Sequence, residues 1–307
     1  MSLEPDDACP GQAFHPNEIL RKYGIDPKKE QWDASLRIFC NEVYIMYPFL
    51  DLRSLWDHYA GLWNGWLSVP CNPTLNVTIE QDRSPLVTQV FVCLAIGQCT
   101  ASPRNTSEDG RYSAGWSLYR AALEFLGDVF ASFEEYEDQL LILQIFALMV
   151  IYLFRLDMIG KAEKFLAIAI SHAHHLGIHK IENATSGINS CSKEMSRRVW
   201  WSLYVLDRRL AIESGRPFLI QDLSTSKPLP QSLPGDLQCY RGSNSLTITP
   251  IDFLAATVTY STVLGKVWEV INGAPSTDAT STFFLKDHFE GHLDERSSGT
   301  ETTEKPW

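Results

Sequence analysis

From Gln31 onward the apolar residues of this chain recur every three or four positions, which is the spacing of one face of an α-helix. The first stripe consists of Trp32, Leu36, Phe39, Val43 and Tyr47, and it ends at Pro48. Strand-like alternation of apolar and polar residues occurs only in short, isolated runs. The sequence therefore predicts an all-α fold, a multi-helical domain built of antiparallel helix pairs.

The same spacing predicts further helices over residues 52–63, 85–99, 107–130, 140–154, 161–176, 195–214 and 251–271. The longest apolar run, 140–154, is shorter than the roughly 20 residues that span a bilayer, so we predict a buried central helix there. Residues 1–29 read as an irregular lead-in, 30–273 as the helical domain, and 274–307 as a polar, acidic and disordered tail.

Charge and cysteine usage exclude several classes of protein. The net charge of −11 argues against a nucleic-acid surface spread over the whole chain, because such surfaces depend on Lys and Arg. No two of the seven cysteines have C-x-x-C spacing, which excludes a compact zinc knuckle and indicates reduced thiols of an intracellular protein. The first nineteen residues lack the basic start and apolar core of a signal peptide.

The most distinctive segment covers residues 195–217. Its candidate functional residues are Arg197, Arg198, Trp200, Trp201, Asp207, Arg208, Gly215, Arg216 and Pro217. Asp207 shares a helix face with Trp200 and Tyr204, and a carboxylate there is costly to bury unless a cation or several donors meet it. We therefore predict an internal ion pair between Asp207 and an arginine, with Arg216 as the first candidate partner. The alternative is that Arg216, on the turn after Gly215, contacts a ligand or a partner.

This segment resembles the regulatory, or middle homology, domain of fungal-specific transcription factors of the binuclear zinc cluster family. Four other segments resemble the same domain in the expected order: Tyr47 to Leu50, the helix with Gln144, Leu176 to Lys180, and Pro228 to Pro230. The resemblance covers about residues 33–273. It departs from the family pattern at both ends, because the sequence holds no zinc cluster or coiled-coil linker before the domain and few helices after Ile271.

The resemblance implies a nuclear, non-enzymatic transcription regulator that controls a metabolic or secondary-metabolite gene set. It also implies protein partners or dimers of related regulators, contact with DNA only through another module, a small-molecule effector, and no contact with membranes. No cofactor is implied in this chain, since zinc would need an upstream cluster. The alternative is a stand-alone interaction protein that dimerises with a full-length relative as a co-regulator, and a helical small-molecule-binding protein or enzyme is a third hypothesis.

Two clusters invite a metal interpretation. His172, His174, His175 and His179 lie close in sequence, but Gly177 stops the helix before the last of them, so we interpret them as structural or solvated. The acidic run from Glu134 to Asp138 could suggest a magnesium site of the kind found in helical terpenoid cyclases. No matching acidic box occurs elsewhere, and the run is typical of the start of a helix.

Overall fold

The computed structural model describes residues 16–65, 84–102, 113–129, 131–180, 190–221, 228–232 and 249–272. Over these ranges the chain forms ten α-helices: α1 Pro16–Lys22, α2 Lys29–Ile38, α3 Leu52–Asn64, α4 Ser84–Ala101, α5 Trp116–Leu126, α6 Ser132–Glu135, α7 Gln139–Arg155, α8 Ile159–His175, α9 Ser190–Ser214 and α10 Pro250–Asn272. A π-helical turn, Phe39–Val43, extends α2. None of the described residues is in a strand, so the all-α prediction is confirmed. The antiparallel pairing of the helices stays a prediction.

Most helices begin and end within about two residues of the predicted positions. There are three exceptions. The first predicted helix ends with the π-helical turn at Val43 rather than at Pro48. Helix α9 starts five residues early at Ser190, and α5 covers only Trp116–Leu126 of the predicted 107–130. The predicted start at Ser107 and the tail 274–307 lie outside the described residues. The irregular lead-in predicted for residues 1–29 is wrong in part, because Pro16–Lys22 is a helix. Ile19 and Leu20 on that helix are buried, and packing of α1 against α5 stabilises a segment with little periodicity of its own.

Helices α4 and α7 form the centre of the core. Helix α4 packs against α2, α3, α5 and α7, and α7 in turn packs against α4, α8 and α9. A helix surrounded in this way must be apolar on all sides. Helix α4 is long and apolar enough to cross a bilayer, but 78% of that stretch is buried inside the protein, which accounts for its composition. The prediction of a buried central helix over 140–154 is confirmed by α7, in which Ile142 to Leu153 are all buried.

Glycine permits the closest helix contact in this core. A Cβ atom at Gly97 of α4 would overlap the carbonyl group of Ser35 in α2. The two backbones therefore touch at a distance that no other residue type at position 97 allows without a shift of one helix.

A chain of buried amides joins three segments of the core. The side chain of Gln89 in α4 donates to Gln144 Oε1 in α7 at 3.1 Å, and Gln144 Nε2 donates to the carbonyl oxygen of Phe49 at 2.7 Å. Both glutamines are buried, so each bond satisfies a group that water cannot reach.

The chain divides into two compact units, residues 1–262 and 263–307. The described part of the second unit is the C-terminal end of α10, and the candidate site lies entirely in the first.

Candidate regulatory site on helix α9

Helix α9 is buried on every side along its middle third. All residues from Arg198 to Arg208 are buried, and this helix packs against α7 and α8. Four charged groups are buried with it: Glu194, Arg198, Asp207 and Arg208, none more than 3% exposed. Burying four charged groups in one helix is costly unless each of them is paired or hydrogen-bonded. Their partners are one another and backbone groups of the two segments that follow the helix, residues 216–221 and 228–232.

Asp207 is the acceptor that holds the first of these segments. Its Oδ1 accepts from the backbone N–H of Leu219 at 3.1 Å, and its Oδ2 accepts from the N–H of Ile220 at 3.0 Å. The Nη1 of Arg208 donates to the same Oδ2 at 2.8 Å. Burial raises the pKa of Asp207 above its ordinary value, while the two amides and the guanidinium act to lower it.

Arg208 holds the same segment from the other side. Its Nη2 donates to the carbonyl oxygen of Ile220 at 2.9 Å. The guanidinium carbon lies 4.3 Å from the ring centroid of Tyr204 and 4.0 Å from that of Phe218, so the cation is sandwiched between two aromatic faces. Asp207 and Arg208 together bind both the N–H and the C=O of Ile220, which fixes the path of the chain after α9.

Arg216 does not pair with Asp207, so the partner that we predicted is wrong. Gly215 takes the left-handed conformation with φ of +72°, and the N–H of Arg216 donates back to the carbonyl oxygen of Ala211 at 3.0 Å. The turn places the Arg216 guanidinium against α8, where Nη1 lies 2.5 Å from Glu163 Oε2. The Arg216 side chain is 62% exposed. The prediction of a buried, ion-paired Asp207 is confirmed, with Arg208 as the cation.

A second buried ionic cluster holds residues 228–232. Glu194 Oε1 accepts from the N–H of Gln231 at 2.7 Å, and Arg198 Nη2 donates to the carbonyl oxygen of Gln231 at 3.0 Å. Arg197 donates to Glu194 Oε2 at 2.6 Å, and Arg198 Nε lies 3.4 Å from Oε1. The same arrangement therefore occurs twice on α9. In each case a carboxylate of the helix binds the N–H, and an arginine binds the C=O, of one residue in a segment that follows the helix.

The two tryptophans of the motif have different roles. Trp201 donates from Nε1 to the carbonyl oxygen of Pro228 at 2.9 Å, which adds a third attachment for the second segment. Trp200 is fully buried and packs against the rings of His174 and His179, with centroids 5.4 and 5.7 Å away. Trp200 therefore packs α9 against the end of α8 and the residues that follow it.

An open groove lies between α8, α9 and the first returning segment. Its volume is about 180 Å³, and its lining combines an apolar floor with the ion pair of Arg216 and Glu163. The floor residues are Leu166, Ala167, Leu210, Ala211, Pro217 and Leu219. Small side chains at positions 167 and 211 leave the space open.

The four histidines belong to two separate environments. His172 Nε2 lies 2.8 Å from Gln139 Oε1, and its ring packs on Phe133. Burial, together with the neighbouring His175, lowers the pKa of His172 below its ordinary value. Within the described ranges, no three side chains of His, Cys, Asp or Glu come together as metal ligands would. Of the acidic run, Asp138 accepts from the N–H of Leu141 at 3.0 Å and caps α7.

Several residues of this site were not predicted from the sequence, among them Glu194 and Gln231 of the second cluster. Glu194 sits three and four residues before the arginine pair, and that helical spacing is the signal that would have identified it. A third contact, also not predicted, joins α9 to the N-terminal part of the chain: Arg209 Nη1 donates to the hydroxyl of Tyr47 at 2.6 Å and lies over Phe154.

The geometry defines an all-helical domain in which one buried helix fixes the chain that follows it through two ionic clusters. The model of the fungal specific transcription factor domain matches residues 36–276. The chain therefore belongs to this family.

Relatives of this chain are fungal transcription factors. The terreic acid cluster-specific transcription factor atF of Aspergillus terreus is 24% identical over 208 residues, which are 67% of this chain and 29% of that protein. The transcription factor asqA of Emericella nidulans is 28% identical over 47% of this chain and 24% of its own length. The cutinase transcription factor 1 beta of Fusarium vanettenii is 25% identical over 37% of this chain and 13% of its own. The chain thus spans less than a third of the length of these relatives. No solved structure matches it.

Proposed function

We propose that this chain is the regulatory domain of a nuclear transcription regulator and acts through protein contacts rather than catalysis. The observation that carries the proposal is the family match over residues 36–276, because all three relatives named above are transcription factors. The two ionic clusters of α9 support a regulatory role, since they hold residues 216–221 and 228–232 in one defined conformation that a partner can recognise.

A reporter assay tests this proposal directly. The full chain is fused to an unrelated DNA-binding domain in a fungal host, and transcription of a reporter with the cognate site is measured. We expect the fusion to change reporter output relative to the DNA-binding domain alone, and Asp207→Asn to reduce that change. Asp26→Asn, at an exposed carboxylate away from the site, is the matched control. Unchanged output from a fusion that is expressed and nuclear would refute the proposal.

The gene set that we propose is one for a secondary metabolite. The support is one relative, the terreic acid cluster-specific transcription factor, which matches two thirds of this chain. Deletion of the gene in its host, followed by transcript profiling, should change expression of a contiguous cluster of biosynthetic genes. Changes scattered over the genome without such a cluster would contradict this part of the proposal.

A co-regulator that dimerises with a full-length relative is the second candidate. Such a protein would inhibit a relative by occupying its dimer interface and would reach DNA only through it. The full-length transcript discriminates the two candidates: six cysteines in zinc-cluster spacing in the same reading frame would favour the first, and their absence would favour the second. The notion that DNA is contacted only indirectly rests on the net charge of −11.

The groove between α8 and α9 is our candidate for the effector site. An exposed guanidinium over an apolar floor suits a small carboxylic acid, whose carboxylate would compete with Glu163 for Arg216. A thermal-shift screen of small carboxylic acids should find compounds that stabilise the wild-type chain. Arg216→Gln should abolish the shift, and a shift that survives this substitution would exclude the groove.

A further inference from the structure

Two arginines that take no part in the ionic clusters of α9 lie beside the buried hydroxyl of Tyr47. Arg209 of α9 donates from Nη1 to the Tyr47 hydroxyl oxygen at 2.6 Å, and its guanidinium carbon lies 4.9 Å from the ring centroid of Phe154. Arg155 follows Phe154 directly and is the last residue of α7. Burial raises the pKa of Tyr47, and the charges of Arg209 and Arg155 oppose that rise, so both guanidinium groups lie near the hydroxyl.

Neither of these arginines has a carboxylate partner in the part of the chain that the structure describes. The four arginines among the predicted site residues are all ion-paired. Asp157 and Glu213 are exposed and lie two and four residues along the chain from Arg155 and Arg209, yet neither forms an ion pair with them. Arg209 is exposed and Arg155 is half-buried, so a ligand can reach both from solvent. Two neighbouring cations without a counter-charge make this point of an acidic chain attractive to an anion.

The Tyr47 hydroxyl supplies a third donor. Tyr47 is 4% exposed, and within the described ranges its hydroxyl has one partner, Arg209, from which it accepts. The hydrogen of the hydroxyl is therefore left to donate to an acceptor oxygen. Arg209 is held by the hydroxyl and by the Phe154 ring, so its remaining N–H groups are oriented before a ligand binds.

We propose that Arg155, Arg209 and the Tyr47 hydroxyl form a binding site for a phosphate monoester. Such a group carries a charge of about −1.5 to −2 at neutral pH and three acceptor oxygens, which match two guanidinium groups and a phenol. A carboxylate has one charge and two oxygens, and the phosphodiester of a nucleic acid has one charge, so both match this donor set less well. The site shares no residue with the groove beside α8. The inference goes beyond the proposed function, and each can fail while the other holds.

Isothermal titration calorimetry of the full chain with phenyl phosphate, at constant ionic strength, tests the site. We expect phenyl phosphate to bind, and we expect Arg155→Gln to weaken its affinity at least about tenfold, because a hydrogen bond between two charged groups is lost. Arg120→Gln, at an exposed arginine of α5 whose guanidinium lies 6.0 Å from the Tyr23 ring, is the matched control and should bind as the wild type does. Absence of binding, or an affinity that Arg155→Gln leaves unchanged, would overturn the proposal.

Thermal unfolding separates a binding role from a structural one. Without ligand, Arg155→Gln should unfold at the temperature of the wild type, because the Arg155 side chain makes no hydrogen bond within the described ranges. Phenyl phosphate should raise the unfolding temperature of the wild type and leave that of Arg155→Gln unchanged. Tyr47→Phe keeps the ring in the core and should weaken binding by about threefold to tenfold, since one donor is lost. Binding to Tyr47→Phe with the affinity of the wild type would refute the part assigned to the hydroxyl.

The same titration distinguishes the two sources of a phosphate monoester, a small metabolite and a phosphorylated side chain. Glucose 6-phosphate represents the first, and a blocked glycyl-phosphoseryl-glycine peptide represents the second. Tighter binding of the peptide would assign the site to a phosphorylated protein, and tighter binding of the sugar phosphate would assign it to a metabolite. Either result supports the site only if Arg155→Gln weakens it, and failure of both compounds to bind would refute the site.

Discussion

The buried pair of Asp207 and Arg208 offers the sharpest quantitative prediction. Asp207→Ala removes the acceptor of three hydrogen bonds, two from backbone N–H groups and one from the Arg208 guanidinium. It leaves a cation that is 1% exposed without its carboxylate. Removing one partner of a buried pair costs about 3–5 kcal/mol, so we expect a loss of stability in that range. Arg208→Met should cost somewhat less, about 2–4 kcal/mol, because the amides of Leu219 and Ile220 still bind the carboxylate.

The double mutant isolates the interaction between the two side chains. Asp207→Ala combined with Arg208→Met leaves neither a buried cation nor a buried carboxylate. We therefore expect its loss to be at least about 1.5 kcal/mol smaller than the sum of the single losses. Urea unfolding followed by far-UV circular dichroism measures each free energy, provided that the slope with urea is unchanged.

Arg216→Ala is the matched control. The Arg216 side chain is 62% exposed and pairs with Glu163, so its loss should cost under about 1 kcal/mol. Its effect should add to that of Asp207→Ala within about 0.5 kcal/mol. Additive losses for Asp207 and Arg208, or clear coupling between Asp207 and Arg216, would refute the assignment of the ionic cluster.

Three further predictions concern the core and the helix ends. Gly97→Ala should destabilise the chain by about 3 kcal/mol, because the added Cβ meets the Ser35 carbonyl group. Gly61→Ala, in open space on α3, should stabilise it by up to about 1 kcal/mol, and equal effects of the two changes in urea unfolding would contradict the packing argument. Asp157 has φ of +64° at the end of α7, so Asp157→Gly should raise stability by about 0.5–1 kcal/mol, and a loss would show that the aspartate makes a compensating contact. Because the pKa of His172 is lowered in the folded chain, the unfolded chain binds the proton more readily as the pH falls below about 6.5. Acid should therefore reduce the free energy of unfolding of the wild type more than that of His172→Gln, and parallel stability curves between pH 7 and pH 5 would be inconsistent with this.

The helices could be predicted from the sequence because their apolar spacing is regular, and the path of the loops could not. The burial of Asp207 followed from its aromatic neighbours on the same face. Its partner did not, because neighbouring residues on a helix point about 100° apart and rarely pair. Arg208 binds both Asp207 and the carbonyl oxygen of Ile220, a residue that lies beyond the turn at Gly215.

The ionic cluster at Glu194 could also be predicted from the sequence only in part. Its spacing to Arg197 and Arg198 was readable in the sequence, but its main partner is the backbone of Gln231, thirty-seven residues away. No periodic pattern specifies which loop residue returns to which helix. The π-helical turn at Phe39–Val43 was also beyond prediction, since it depends on how α2 packs against α4.

The amide chain from Gln89 through Gln144 to the Phe49 carbonyl group has a consequence for how sequences of this family can diverge. Gln89 donates to the amide oxygen of Gln144, and Gln144 donates to the carbonyl oxygen of Phe49. Replacing either glutamine alone therefore leaves a buried polar group without its hydrogen-bond partner. A chain that loses one of them should therefore carry a compensating change at the other. Positions 89 and 144, although fifty-five residues apart, should therefore vary together among relatives. Such covariation in an alignment would reveal the contact between α4 and α7 without a structure.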